Sequence, residues 1–343
     1  MSERTLTTAH LNRALLARQL LLGRSSLSPR DAIEQIGGLQ TQYAPSGYVG
    51  LWTRLAGFER SALTAALEDR RIIQATLLRV TIHMVSRREY WHYVMGVQRA
   101  RRDWWLRLQR GAMSDADGQQ AAARMREALR DGPRTVRELG PEATGFIGNQ
   151  SLWLDVVRVP PSGTWERRRA DRLALADDWV GPCDATETEG LAHLVRAYLR
   201  GFGPARWADI ATWAGIPVTQ ARRGEEALEL VRYRDEAGRE LIDLPGAPLP
   251  DPDVPAPVRF LPHWEALLLV HARRAAILPE AYRERVFSSH NPFSVGTYLV
   301  AGRVAGAWSL RDGRVVLDAF ETLTTRAQRE LEVEREALEA FHA

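Results

Sequence analysis

The chain has 343 residues, 45% hydrophobic and 26% charged, which gives room for more than one packed core and is too polar for a membrane bundle. Its net charge is only +3, yet all 46 basic side chains are arginine, and the absence of lysine excludes a P-loop, a kinase phosphate lysine, a pyridoxal Schiff base and a lysine-based lyase. The lone Cys183 excludes intramolecular disulfides, cysteine zinc knuckles and iron–sulfur clusters, and fits a reducing cytoplasm.

Met1 to His10 is polar, without the apolar core of a signal peptide, and no later apolar run approaches the ~18 residues of a membrane span. Apolar spacing from Leu11 to Leu21 predicts a first helix ending near Gly23. A second follows the Ser28-Pro29 cap and runs through Ile33 and Ile36 toward Gly37-Gly38. Helical stretches at 47–55 and 61–67 precede two β-like runs, Ile72 to Leu78 and Val80 to Val85, the layout of a winged helix. The pattern recurs over 114–180: an Ala-rich helix, short helices at 135–139 and 150–156, and a hairpin from Val157 to Trp165. It recurs again over 186–244, with helices at 191–199, 207–213 and 219–230 and strands on either side of Asp235 to Gly238.

Six prolines between Pro245 and Pro257 then mark a linker. Beyond it come an apolar stretch at 260–270, strands at 297–300, 303–308 and 314–317, and a terminal helix whose segment from Arg326 onward has five Glu against three Arg. The expected fold class is α+β, mainly helical, with three tandem winged-helix units (1–112, 113–183, 184–244), a linker (245–258) and a C-terminal α+β module with a small sheet (259–343). The basic excess lies upstream of the tail. Arginine suits phosphate forks and base stacking, which points to nucleic acid, while codon bias in a high-GC genome accounts for the same composition.

No zinc spacing, no GxSxG elbow and no GxGxxG after a strand occurs, so metal, serine-hydrolase and dinucleotide chemistries fall away and no cofactor is expected. The segment Leu39 to Leu55, with Gln40-Thr41-Gln42 near its start, and the run Arg79 to Val85 resemble the AlkZ-like family of bacterial winged-helix DNA glycosylases. So do Pro160 to Trp165, Gly203-Pro204 leading to Trp213-Ala214-Gly215, and Leu261-Pro262 leading to Ile277-Leu278-Pro279, so that the likeness extends through essentially the whole chain. The resemblance implies tandem winged helices around duplex DNA, with Gln40 and Gln42 at the lesion as catalytic amides. It further implies a self-resistance or repair enzyme of the cytoplasm (nucleoid) that acts as a monomer and releases bulky alkylated purines, interstrand crosslinks included. Three residues depart from the family pattern: Thr41 replaces an aliphatic residue, Val80 a glycine and Glu265 an aspartate.

The chemistry also follows from the residues. Alkylation at purine N7 or N3 makes the base cationic, so it departs as a neutral molecule with little need of a general acid. A glutamine amide transfers no proton, but its carbonyl orients water and its dipole stabilises positive charge developing on the sugar. Strand-nicking glycosylases form a Schiff base, usually with lysine; without it only the N-terminal amine could substitute, and the chain is expected to be monofunctional.

Further candidates carry two readings each. His83, between Ile82 and Met84, is a core histidine or a lesion-proximal group beside Arg79. Arg167, Arg168 and Arg169 form a basic wing over phosphates or a solvated face, and Trp165 supports that hairpin or stacks on DNA. Arg99, Arg101 and Arg102, next to Trp104-Trp105 on a long helix, flank the DNA channel. Arg222 and Arg223 sit in the recognition helix of the third unit. The alternative to the enzyme is a non-catalytic winged-helix transcription regulator.

Overall fold

The computed structural model describes residues 4–140, 152–269, 271, 274–287 and 294–343. Strand β1 (Thr5–Leu6) leads into the helix Thr8–Arg18, started by a capping box in which Thr7 Oγ1 accepts from the His10 amide and His10 Nδ1 accepts from the Thr7 amide. Pro29 occupies the first turn of the helix Pro29–Gln35 behind the Ser28 cap, which fixes where it begins. Strand β2 (Leu39–Gln40), helices Ala44–Trp52 and Arg60–Glu68, and strands β3 (Ile72–Thr76) and β4 (Ile82–Ser86) follow in the expected order.

The long helix Tyr90–Leu108 connects to Asp115–Ala128, β5 (Arg134–Thr135), β6 (Val156–Arg158) and β7 (Arg172–Leu175). β2 to β7 form one antiparallel six-stranded sheet in the order β2-β4-β3-β6-β7-β5, so strands from 1–112 and 113–183 share a single ladder. Its register runs Gln40, His83, Ala75, Val157, Ala174 straight across five strands. Gln40 thus stands on an edge strand but in a row whose other end is core.

Two expectations over this stretch need correction. The helix foreseen at 150–156 does not form over its described part: the chain turns at Trp153 and enters β6 at Val156, and Gln150 lies outside the described residues. Leu152, Leu154 and Val156 are buried with Trp105 and Met125, so the apolar spacing is real but is satisfied by a turn and a strand. The hairpin foreseen at 157–165 is wider, because Pro160 to Trp165 belong to the broad turn and the second strand begins only at Arg172.

The helix Glu187–Phe202, capped by a Thr186/Glu189 box, packs along Tyr90–Leu108 at a glycine crossing: a Cβ on Gly190 would fall 2.4 Å from the Gly96 nitrogen. Helices Trp207–Ala214 and Val218–Arg223 follow, then β8 (Val231–Asp235) and β9 (Glu240–Asp243), with β8 pairing β1 in parallel. The helix expected over 219–230 ends at Arg223. Gly224 lies so close to helix Glu187–Phe202 that a Cβ would meet Leu191 O at 2.6 Å, and the chain tightens into a 3-10 turn there. After the proline-rich segment, β10 (Arg259–Leu261), β11 (Gly296–Val300), β12 (Arg303–Arg311) and β13 (Arg314–Ala319) form a four-stranded antiparallel sheet covered by the helix Thr325–His342.

Two buried ion pairs fasten these parts together. Arg18 grips Asp243 with both contacts at 2.7 Å, and Arg54 grips Glu265 at 3.0 and 3.1 Å. In the second, the Glu265 carboxylate is only 3% exposed and neutralises an arginine that is 0% exposed, so the residue serves the fold; nothing in the pair explains glutamate over aspartate there.

Candidate active site

Residues 39–42 continue along β4 beyond the paired strand, since the Thr41 amide donates to Ile82 O at 2.8 Å. Strand alternation turns Gln40 and Thr41 to opposite faces, and Gln42 lies in the bend that follows. Thr41 is buried, and its hydroxyl oxygen accepts from Gln74 Nε2 at 3.2 Å. The threonine that replaces an aliphatic residue is therefore a satisfied buried polar group whose partner comes from β3.

Both glutamine carbonyls are anchored. Gln40, 6% exposed, accepts at Oε1 from Arg79 Nη2 at 2.9 Å. Gln42 is exposed, and its Oε1 accepts from the Ile82 amide at 2.9 Å. Because both partners are donors, the amide orientation is settled by chemistry: carbonyl ends face the protein, each with a second lone pair left, and NH2 ends are the ones to donate outward.

Arg79 lies in the turn between β3 and β4, where it and Val80 adopt φ of 52° and 58°. This left-handed backbone aims the guanidinium sideways at Gln40 and at Trp213 O in the helix Trp207–Ala214, while Gly215 comes within 3.2 Å (Cβ position) of the Arg79 Cα. Val80 is the departure from glycine, and a β-branched residue at positive φ is strained.

His83 stands opposite Gln40 in the ladder and is 3% exposed. Its Nδ1 donates to Thr81 O at 3.0 Å, leaving Nε2 with a lone pair. Burial first, and then the charge of Arg79, push its pKa down to about 3. His271, buried and without a hydrogen bond from either ring nitrogen among the described residues, is likewise held neutral by burial and by Arg79 and His83. Arg79 itself is lowered by burial to about 10 and stays charged at neutral pH. The cluster therefore offers oriented amides, one cation and two neutral imidazoles, and none of these groups is a proton donor suited to a neutral leaving group.

The basic turn reaches toward this place. Arg167, Arg168 and Arg169 are exposed, and Arg168 Nη1 donates to Tyr43 OH at 3.1 Å, one residue beyond Gln42. Arg169 pairs with Asp171 at 3.0 Å. Gly163, at φ 77°, lies against Gln74 so closely that a Cβ would fall 2.3 Å from Oε1. Gln74 thus links the turn to Thr41; a glutamine inside the apolar run Ile72 to Leu78 was the signal for it. Trp165 is buried against Tyr48 and Phe341 and supports the turn.

Other arginines divide. Arg101 is buried and donates to Thr76 O, and Arg102 donates to Leu152 O, so these two pin the chain instead of flanking a channel; Arg99 is exposed. Arg223 is exposed but paired with Glu187 at 2.8 Å, and Arg222 lies over the Trp207 ring. Among the described residues no group of three potential ligands gathers to hold a metal, and no helix is long and apolar enough to cross a membrane.

The model of the DNA glycosylase AlkZ-like family matches residues 33–341. Among solved structures, Streptomyces sahachiroi DNA glycosylase AlkZ superposes with a TM-score of 0.78 at 18% identity, covering 98% of this chain and 96% of that one. A search of curated protein sequences finds no match.

Proposed function

The chain belongs to the AlkZ-like DNA glycosylase family, which makes DNA its partner and glycosidic-bond hydrolysis its chemistry, and from that premise we propose that it releases alkylated purines from duplex DNA. The observation that carries the substrate class is the absence of a proton donor among Gln40, Gln42, Arg79, His83 and His271: both histidines are neutral, and His83 titrates only near pH 3. Such a site suits a base that is already cationic, as N7- and N3-alkyl purines are.

Within the proposal the two amides divide the work. Gln42, exposed and held by the Ile82 amide, uses its one remaining carbonyl lone pair to orient the attacking water. Gln40, tied to Arg79, fixes the distance between the motif and the turn above it. The exposed arginines Arg167, Arg168, Arg169, Arg222 and Arg223 contact phosphates. Without lysine the product is an intact abasic strand, and the protein acts as a monomer on bulky N7-guanine adducts, crosslinks included, in repair or self-resistance.

The test is a panel of duplexes bearing 7-methylguanine, a bulky N7-guanine adduct or uracil, with released base measured by chromatography. Release of the alkylated bases but not uracil is expected, and borohydride traps no covalent adduct. Rapid uracil excision abolished by Gln42→Ala, or tight binding to one undamaged sequence with no base release, overturns the proposal; the second outcome is the signature of a transcription regulator.

A further inference from the structure

The buried arginines differ in what balances their charge. Arg18, Arg54 and Arg259 each pair with a carboxylate, those of Asp243, Glu265 and Glu334, and Arg101 lies close enough to Asp155 for that carboxylate to offset part of the effect of burial. Arg158, the last residue of β6, is 7% exposed and has no carboxylate partner among the described residues. Its one hydrogen bond there runs from Nη1 to Thr76 Oγ1 at 2.9 Å. Nε is buried without a partner, whereas Nη2, also unbonded, keeps contact with solvent. Burial lowers the Arg158 pKa to about 10, so the group is charged at neutral pH, and the Tyr90 phenol near it, raised by burial, stays protonated and supplies no counter-charge. A desolvated cation of this kind weakens the fold unless an anion reaches it.

Its position says which anion. Arg158 stands opposite Gln74 in the ladder, and its side chain runs along the same face to Thr76, two residues farther along β3. Thr76 in turn stands opposite Ile82, whose amide holds the Gln42 carbonyl. Adjacent strands lie about 4.8 Å apart, so the guanidinium and the Gln42 carbonyl are separated by one or two strand spacings, about 5–10 Å, the reach from a sugar to the phosphates around it. The basic turn lies on this face as well, since Gly163 packs on the Gln74 side chain, and its Arg168 reaches Tyr43.

We propose that Arg158 Nη2 takes a non-bridging oxygen of one phosphodiester of the damaged strand, within two nucleotides of the lesion, and so sets the register of the DNA backbone against Gln42. The assignment rests on the reading that places Gln42 at the damaged nucleoside, and it adds the group that locates that nucleoside. Because the guanidinium is already stripped of water and steadied by Thr76, the contact is stronger and less screened by salt than one made by an exposed arginine of the basic turn.

The experiment uses the full-length protein and duplexes with one cleavage-resistant 2′-fluoroarabino nucleotide bearing 7-methylguanine. Each of the three phosphates on either side of the lesion is replaced in turn by an uncharged methylphosphonate, and affinity is read by fluorescence anisotropy. One replacement is expected to weaken wild-type binding by about tenfold, the scale of one hydrogen bond to a charged group, and Arg158→Met weakens binding of the all-phosphate duplex by a similar factor while losing the further penalty at that position. The same variant raises the urea midpoint, since an apolar chain takes the place of an unbalanced buried charge. Arg158→Gln, which keeps an amide for Thr76, repeats the binding comparison in a second background. A flat scan of the wild type, or a penalty at one phosphate that both variants leave in place, overturns the proposal; a lower urea midpoint with that unchanged scan marks a residue kept for the fold. Because binding is read on DNA that is not cut, the expected scan together with no base release from ordinary deoxynucleotide adducts refutes the enzymatic reading alone, and a flat scan with normal base release refutes the Arg158 assignment alone.

Discussion

Val80 gives a prediction in which the usual order of two residues reverses. Its φ of 58° lies in the left-handed region, and its side chain is half-buried against the small core around Trp105 and Met125. Val80→Ala and Val80→Gly lose nearly the same side-chain burial, so their difference isolates the backbone. In ordinary helix or strand, glycine is less stable than alanine by about 0.5–1 kcal/mol because it loses more conformational freedom. In the left-handed region an L-residue carries a penalty of about 1–2 kcal/mol that glycine escapes. The balance favours Val80→Gly over Val80→Ala by about 1 kcal/mol, read as a higher urea midpoint at equal slope. Alanine equal to or more stable than glycine would refute the claim that this turn is held in strain. The turn matters because it carries Arg79 to Gln40.

Further expectations follow from the same contacts. His83 and His193 are both pushed by burial from 6.5 to about 3, so the unfolded chain binds more protons between those pH values, and unfolding free energy declines as pH falls from about 6.5 while staying level above it. Urea midpoints at pH 8 and pH 5 test this, and His83→Gln shallows the decline; identical midpoints contradict it. Salt dependence of DNA affinity sorts the arginines: Arg167→Ala lowers the log–log slope by about 0.9, one phosphate contact, whereas Arg223→Ala, whose guanidinium is shared with Glu187, changes it less. A slope unmoved by Arg167→Ala removes that residue from the interface. Gly163→Ala forces a Cβ onto Gln74 at positive φ, so it is expected to cost about 1–2 kcal/mol and to weaken DNA binding by displacing the basic turn.

The sequence carried the helices whose ends are chemically marked, such as Pro29–Gln35 behind Ser28 and Glu187–Phe202 behind its Thr186 box. It misled where periodicity competed with close packing. The helix over 219–230 stops because Gly224 touches the backbone at Leu191, a contact with a residue more than thirty positions away. Leu152, Leu154 and Val156 alternate at the period of a strand, and that spacing, not a helix, is what leads into β6. At the candidate site, family resemblance named Gln40 and Gln42, the residues themselves offered His83 beside Arg79, and the ladder brings Gln40, Arg79 and His83 together. Of the supporting residues, Gln74 left one trace, a glutamine inside an apolar run, though its link through Thr41 to Gly163 is set by the fold, and His271 arrives from a distant segment that local sequence does not tie to the motif. Of the three departures from the family pattern, Thr41 acquires a local account in its hydrogen bond with Gln74, Glu265 keeps the carboxylate that pairs with Arg54, and Val80 carries a backbone cost that nothing in the structure explains.

The measurement that bears most directly on the account is single-turnover release of 7-methylguanine from duplex DNA by the wild type and by Gln42→Leu, with DNA affinity measured in parallel. Loss of an oriented dipole at the reacting centre predicts a rate lower by about 100-fold or more at unchanged affinity. A variant that releases the base at the wild-type rate contradicts the catalytic role of the exposed amide.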